Sequence, residues 1–250
     1  MSGILYLVPN SLGPSDATDS APLASIIPAE VQRITASLDY FIAENAKTAR
    51  AFLKLVALSC PLATPLQEIL ISELNVNTQA DTLPSLLAPI QQGRHAGLLS
   101  EAGVPAVADP GADLVRLAHA NNVAVRPLVG PSSLLLAVMA SGLNGQSFAF
   151  NGYLPIDAQQ RAKRVKALEE RSRAERQTQL FIETPYRNGA LLDALVSLCK
   201  GDTLICVATD LTLPSESIKT QTAMQWKRDL HNGKAPNFHK KPSVFLVLAQ

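Results

Sequence analysis

The sequence predicts an α/β protein built as two domains, an N-terminal parallel sheet followed by a C-terminal mixed sheet. Three observations point there. Short apolar runs alternate with amphipathic stretches from Ile4 to Val129, a Gly130-Pro131-Ser132-Ser133 punctuation then interrupts the pattern, and 47% of the 250 residues are hydrophobic against 17% charged. Such a chain can bury a sizeable core, and strands alternating with helices favour a parallel, helix-covered sheet. The junction is therefore expected at the punctuation, with domains at 1–129 and 130–250.

Ile4 to Val8 reads as the first strand and Tyr40 to Ala43 as another. Ala46 to Leu58 places Ala49, Phe52, Leu53 and Val56 opposite Lys47, Arg50 and Lys54, the spacing of an amphipathic helix. Ile69 to Leu74 follows as a strand, Leu83 to Gln92 as a helix ended by Gly93, and His95 to Leu99 as a strand. Asp113 to Asn121 is a helix leading into a strand from Val123 to Val129. After the punctuation, Leu134 to Ala140 reads as a fully buried helix with Ser132 as its cap. Phe148 and Phe150 alternate in a strand, Asp157 to Arg176 is a long polar helix, and Gln179 to Ile182 is a strand. A helix from Gly189 to Leu198 and strands at Thr203 to Ala208 and Ser243 to Leu248 complete the second sheet. The sequence contains neither an internal repeat nor a low-complexity segment.

With 22 basic and 21 acidic residues the formal charge is +1, which excludes a general polyanion binder. The longest apolar runs, Leu134 to Ala140 and Val244 to Ala249, are far short of the roughly 20 residues that a membrane helix needs, so no membrane is expected. The first apolar segment has no basic region before it and is short and β-rich, unlike a secretory signal. Cys60, Cys199 and Cys206 are too few and too irregularly spaced for a disulfide framework or a zinc ribbon. A reducing cytoplasm is the expected compartment.

The stretch Ser100-Glu101-Ala102-Gly103-Val104-Pro105-Ala106-Val107-Ala108-Asp109-Pro110-Gly111 joins a buried strand to a helix. Open parallel sheets bind ligands at such carboxyl-end loops. Glycines allow close approach and prolines stiffen, so the loop is either a rigid, backbone-lined cradle for a small polar ligand or simply an ordered connection. As a cradle, it would reserve the space beside Gly103 for the ligand. No G-x-x-x-x-G-K-[ST] occurs, nor a G-x-G-x-x-G after the first strand, where Asn10-Ser11-Leu12-Gly13-Pro14 stands. No G-x-S-x-G elbow is present. His95, His119, His231 and His239 are scattered singly, and no metal is expected.

Two carboxylates directly follow strands, Glu44 and Glu183, and Arg187 lies one turn beyond the second. Each reads either as a functional acid or as a cap or salt bridge that fixes a loop. The helix from Arg161 to Arg176 carries basic residues at 161, 163, 164, 166, 171, 173 and 176 against three acidic ones. It is either a phosphate-binding face or a solvated helix, and it lacks the aromatics of a single-strand reader.

Taken in order, these motifs resemble the S-adenosylmethionine-dependent tetrapyrrole methylase superfamily, and within it the ribosomal RNA small subunit methyltransferase I (cytidine 2′-O-methyltransferase) branch. That branch carries S-D-A-G-T-P-x-I-S-D-P-G, and Ser100, Ala102, Gly103, Pro105, Asp109, Pro110 and Gly111 match it, with Glu101 in place of the aspartate. Its P-G-P-S-A becomes Val129-Gly130-Pro131-Ser132-Ser133. Ser141-Gly142-Leu143, Phe148-x-Phe150-x-Gly152-Tyr153-Leu154-Pro155 and Ile182-Glu183-Thr184-Pro185-Tyr186-Arg187 follow S-G-L, F-x-F-x-G-F-L-P and Y-E-S-P-H-R. The departures fall in loops expected to face substrate. V-A-T-P-I-G-N-L reads Val8-Pro9-Asn10-Ser11-Leu12-Gly13-Pro14-Ser15, A-E-D-T-R-x-T-R reads Ala43-Glu44-Asn45-Ala46-Lys47-Thr48-Ala49-Arg50, and R-E-L-T-K is altered near Asp210-Leu211-Thr212.

The resemblance implies a methyltransferase with S-adenosyl-L-methionine in a cleft between two α/β domains, usually as a homodimer. It implies cofactor contacts from Pro9, Ser100, Glu101, Ala102, Gly103, Ala106, Val107, Asp109, Ser132, Ser133, Phe181 and Leu211. It assigns catalysis to Glu183, Glu44 and Arg187. The nearest branch implies ribosomal RNA as acceptor at a ribose 2′-hydroxyl. The wider superfamily implies a tetrapyrrole or another small molecule, and the altered loops admit a catalytically silent S-adenosylmethionine-binding protein.

Overall fold

The computed structural model describes residues 2–13 and 23–250 and divides into two compact units, residues 1–132 and 133–250. The loop positions Pro14 and Ser15 lie outside the described residues. In the first unit the chain runs β1 (Ile4–Val8), α1 (Leu23–Ile26), α2 (Ala29–Ala36), β2 (Tyr40–Ala43), α3 (Ala46–Ser59), β3 (Leu70–Glu73), a 3-10 turn (Ala80–Thr82), α4 (Leu83–Gln91), β4 (Ala96–Leu99), α5 (Ala112–Ala120) and β5 (Ala124–Pro127). The strands form a parallel sheet in the order β3-β2-β4-β1-β5.

Helices cover both faces of that sheet, so its inner strands must be apolar on both sides. Every residue of β2 and β4 is buried accordingly. Phe41 packs on one face with Val8, Phe52 and Leu53, while Tyr40 and Ile42 pack on the other with Leu5, Leu87 and Leu98. The Tyr40 hydroxyl donates to the Leu86 carbonyl at 3.0 Å, which allows a phenol in this core. α3 buries the four residues its spacing predicts, Ala49, Phe52, Leu53 and Val56. Asn45 caps the helix, its side-chain oxygen accepting from the backbone N–H of Lys47 at 2.9 Å.

The second unit runs α6 (Ser133–Ser141), β6 (Phe148–Tyr153), α7 (Ala158–Glu175), β7 (Thr178–Ile182), α8 (Asn188–Leu198), β8 (Leu204–Thr209), β9 (Ser217–Thr222), α9 (Ala223–His231) and β10 (Ser243–Leu248). Its sheet has the order β6-β7-β10-β8-β9, with β6 parallel to β7 and the other pairs antiparallel. Phe181, Leu192, Ile205, Trp226 and Phe245 anchor its core. The Trp226 indole N–H donates to the Ile205 carbonyl at 2.8 Å. Buried Glu169 is satisfied on α7's inner face, where its Oε1 accepts from Lys200 N at 2.7 Å and from Thr203 Oγ1 at 2.5 Å.

Several expectations change. The strand expected over 123–129 narrows to Ala124–Pro127, an edge strand in which Pro127 is tolerated because its nitrogen faces away from β1, while Leu128 N–H donates to the Leu7 carbonyl at 3.0 Å. α6 is not fully buried: Ala137, Val138 and Ser141 are, but Leu135 is 53% and Met139 78% exposed, because only one face packs against the sheet. The sequence reading did not place α1, α2, β9 and α9. β9 is a polar edge strand with no apolar alternation, and α9 gets its only large buried side chain from Trp226. Among the described residues no helix is long and apolar enough to cross a membrane.

Candidate functional site

In the first unit, candidate residues gather at the carboxyl ends of β1, β2 and β4. The loop after β4 is built from backbone more than side chain. Asn10, 1% exposed in the loop after β1, donates its amide to the carbonyls of Ser100 at 3.1 Å and Glu101 at 3.0 Å. Its backbone N–H donates to the Gly103 carbonyl at 2.8 Å, and Gly103 N–H returns a bond to the Ser11 carbonyl at 3.3 Å. These bonds splice two loops about 90 residues apart in sequence.

The conformation beyond the splice is strained. Ala106 and Ala108 both adopt φ of +65°, where a Cβ crowds the following carbonyl. Gly103 sits at φ +68°, and a Cβ there would come within 3.2 Å of Leu12 Cδ2 and 3.6 Å of the Pro131 carbonyl. A side chain at Gly103 would therefore press first on Leu12 and on the Pro131 carbonyl. Gly130 permits a tighter approach, since a side chain there would overlap the Pro9 ring, with Cβ 2.2 Å from Pro9 Cβ. Pro9 and the stretch from Gly130 are thus packed together, and Ser132 and Ser133 follow at the start of α6. Ser100 is buried, with its hydroxyl donating to the Ala102 carbonyl at 3.1 Å, whereas Val107 is 46% exposed.

Three carboxylates share this end of the sheet. Glu44 Oε2 accepts from the Glu101 backbone N–H at 3.4 Å, and Glu44 N–H donates to the Leu99 carbonyl at 3.2 Å. Burial raises the Glu44 carboxyl above the usual carboxylate range, while the Glu101 N–H acts against it. Asp109 is pushed up to about 6, first by burial and then by the negative charge of Glu44, with Ser100 pulling the other way. Asp109 also lines a cavity of about 450 Å³ with Leu74, Asn75, Thr78, Leu83 and Leu114, entirely within the first unit. Sequence reading placed Asp109 in a motif but did not place it beside Glu44, because the two follow different strands.

The remaining candidates belong to the second unit. Glu183 Oε1 accepts from Arg187 Nη2 at 2.5 Å and Nε at 3.0 Å, and from Thr184 N–H at 2.7 Å. Phe181 is core, its ring stacked on Phe245 with centroids 6.3 Å apart. Leu211 is buried between Asp210 and Thr212, both with positive φ, at 51° and 72°. Sequence reading missed what fixes that turn: buried Asp210 accepts from Lys241 Nζ at 2.6 Å and Ser215 Oγ at 2.8 Å. On α7, Arg161 Nη1 donates to the Ile156 carbonyl, Arg164 donates to Asn151, and Arg171 pairs with Glu175. Much of that helix's charge is therefore engaged locally. His95 is structural, its Nδ1 accepting from Ile4 N–H at 3.0 Å. Among the described residues no His, Cys, Asp and Glu group could hold a metal ion, and the three cysteines are free thiols.

The residues of the first unit fit a cationic cofactor. A backbone-lined loop presents polar groups without bulky side chains, and the carboxylates beside it suit ammonium, sulfonium and hydroxyl groups.

No family model matches the chain. Ribosomal RNA small subunit methyltransferase I of Escherichia coli O157:H7 is 30% identical over 216 residues, covering 86% of this chain and 68% of that protein. The Streptococcus pyogenes serotype M1 protein of the same name is 32% identical over 213 residues, 84% of this chain and 66% of that one. The Mesorhizobium japonicum protein of that name is 38% identical over 139 residues, 56% of this chain and 46% of its own. The chain thus spans between about half and two thirds of the length of these relatives. Among solved structures, the methyltransferase CobJ superposes with a TM-score of 0.59 at 18% identity, covering 100% of this chain and 95% of that one. Cobalt precorrin-4 methyltransferase gives a TM-score of 0.57 at 13% identity, covering 98% of this chain and 94% of that one. These likenesses establish a shared fold, and the relative matched over more than two thirds of its own length decides the lineage: the chain belongs to the ribosomal RNA small subunit methyltransferase I family.

Proposed function

We propose that the protein is an S-adenosyl-L-methionine-dependent methyltransferase that methylates a ribose 2′-hydroxyl of ribosomal RNA. We propose further that it works in the cytoplasm, as its free thiols suit, and as a homodimer, as its family resemblance implies. The observation that carries the reading is the loop after β4, held by Asn10 and forced through two left-handed alanines to present backbone beside three carboxylates.

In this reading the cofactor is held by Pro9, the Ser100-to-Gly103 turn, Ala106 and Val107, with Ser132 contributing from the stretch that Gly130 packs against Pro9. Bound there, it supplies a methyl group already activated by a sulfonium. The protein's task is then alignment and exclusion of water, which can supply roughly 7 to 11 kcal/mol. The acceptor ribose occupies the cavity beside Asp109, whose volume of about 450 Å³ is on the scale of small-ligand sites. Asp109 takes the hydroxyl proton as general base. Glu44 tunes it, because its negative charge helps raise Asp109 toward neutrality, where a base works best. Glu183 keeps Arg187 in position, one of its oxygens accepting three hydrogen bonds.

The decisive experiment incubates the protein with methyl-labelled S-adenosylmethionine and undermethylated small ribosomal subunits. Label in ribose of the RNA is the expected result. Label in a small molecule from cell extract would instead establish the tetrapyrrole-type reading, and cofactor binding without transfer would mark a silent binding protein.

A further inference from the structure

Tyr186 lies just beyond β7 and is 73% exposed, yet its surroundings are built. Lys240 Nζ stands over its ring, 5.8 Å from the centroid, and the His239 ring meets it edge-on at 6.4 Å with an interplanar angle of 81°. The two loops that carry these side chains are joined. Lys240 N–H donates to the Pro185 carbonyl at 3.1 Å, and fully buried Asn188 donates its amide to the carbonyls of Phe238 at 3.0 Å and Lys241 at 2.8 Å. Lys240 is itself held at φ +61°. Arg187 and Lys241 flank the cluster; each pairs with a carboxylate, Glu183 or Asp210, while keeping about a third of its side chain exposed.

An aromatic ring held at the surface with cations around it matches what unpaired nucleic acid presents. Every base offers a π-face to stack on, and every phosphate a charge for a nearby lysine. A paired A-form helix buries its base faces and cannot use such a ring. α7, the most basic helix, offers no aromatic, and several of its arginines bond to nearby acceptors.

We propose that Tyr186, with His239 and Lys240, is a stacking platform for an unpaired base of single-stranded RNA, with Lys240 contacting a backbone phosphate. The inference rests on the RNA-acceptor reading and specifies how that substrate is held. Lys240 covers one face of the ring, so the base stacks on the other.

The test measures binding of a short fluorescein-labelled unpaired oligoribonucleotide, and of the same strand in a duplex, by anisotropy across a salt series. Wild-type protein should prefer the single strand. Tyr186→Ala should weaken that binding about ten-fold, whereas Tyr186→Phe should retain it. Lys240→Gln should lower the slope of log affinity against log salt by about 0.7, the loss of one phosphate contact. Melting temperature and S-adenosylmethionine affinity should stay unchanged in all three. If wild type binds and methylates RNA but Tyr186→Ala binds the single strand equally well, the platform is wrong and the RNA reading stands. If wild type neither binds nor methylates RNA, both fall together.

Discussion

Arg187 and Glu183 meet through a single carboxylate oxygen, which accepts from the guanidinium at 2.5 Å and 3.0 Å while the same oxygen caps the Thr184 N–H at 2.7 Å. The carboxylate is almost fully buried, but Arg187 is 34% exposed. Breaking a fully buried pair costs roughly 3–5 kcal/mol, and solvent screening on the arginine side lowers that to about 1–2 kcal/mol. Glu183→Gln should therefore lower the melting temperature by several degrees and raise KM for RNA more than it lowers kcat. A large loss of kcat at unchanged melting temperature would make Glu183 the base instead.

The pH profile separates Asp109 from Glu44. The ratio kcat/KM should rise with pH through about 6 as Asp109 loses its proton, then level off. Asp109→Asn should remove that limb and about 10²-fold of the rate. Glu44→Gln should move the limb to lower pH, since one cause of the raised value is gone. A limb unmoved by Glu44→Gln would mean that the two carboxylates do not interact.

The same group predicts a stability effect of opposite sign. Because folding raises Asp109 from its ordinary 3.8 to about 6, its ionisation opposes folding: its favourable contribution is complete below about 3.8 and lost as pH rises through about 6. Asp109→Asn should raise the melting temperature by about 2–4 °C at pH 8 and change it little at pH 3.5. Thermal melts at the two pH values check both halves.

Asn10 offers a fourth test. Asn10→Ala leaves the carbonyls of Ser100 and Glu101 without their amide donor, at about 1–3 kcal/mol for the pair of bonds. Calorimetry should show a parallel loss of cofactor affinity, because the loop it fixes is the proposed binding surface.

Backbone strain gives a pair of substitutions with opposed outcomes. Gly103→Ala puts a Cβ at φ +68° and 3.2 Å from Leu12, and should cost about 1–2 kcal/mol. Ala108→Gly relieves φ +65° and should stabilise by up to about 1 kcal/mol after the added freedom of the unfolded chain is counted. Denaturant midpoints for both variants test the signs.

Spacing made the parallel sheet legible, since strands buried on both faces read as unbroken apolar runs such as Tyr40 to Ala43. Glycine and proline marked the loop after β4. Its shape was not legible, because nothing about alanine announces a left-handed conformation at Ala106 or Ala108. Nor did local pattern join Asn10 to Ser100 or Glu44 to Asp109; strand order brings those loops together, and it is a property of the whole sheet. The apolar run Leu134 to Ala140 misled for a related reason. Composition says what can be buried, while the exposure of Leu135 and Met139 depends on what the chain lays over them.

The strand order of the second sheet also governs how that unit is made. β6 pairs with β7, and β8 with β9, but the two ribbons are joined only by β10, inserted between β7 and β8. During synthesis the ribbons emerge with their inner edges unpaired and must wait for Ser243 to Leu248 to leave the ribosome. Until then, the groups held by the second sheet, Glu183 and Asp210 among them, have no common frame, so nascent chains arrested before residue 243 should remain protease-sensitive throughout this unit.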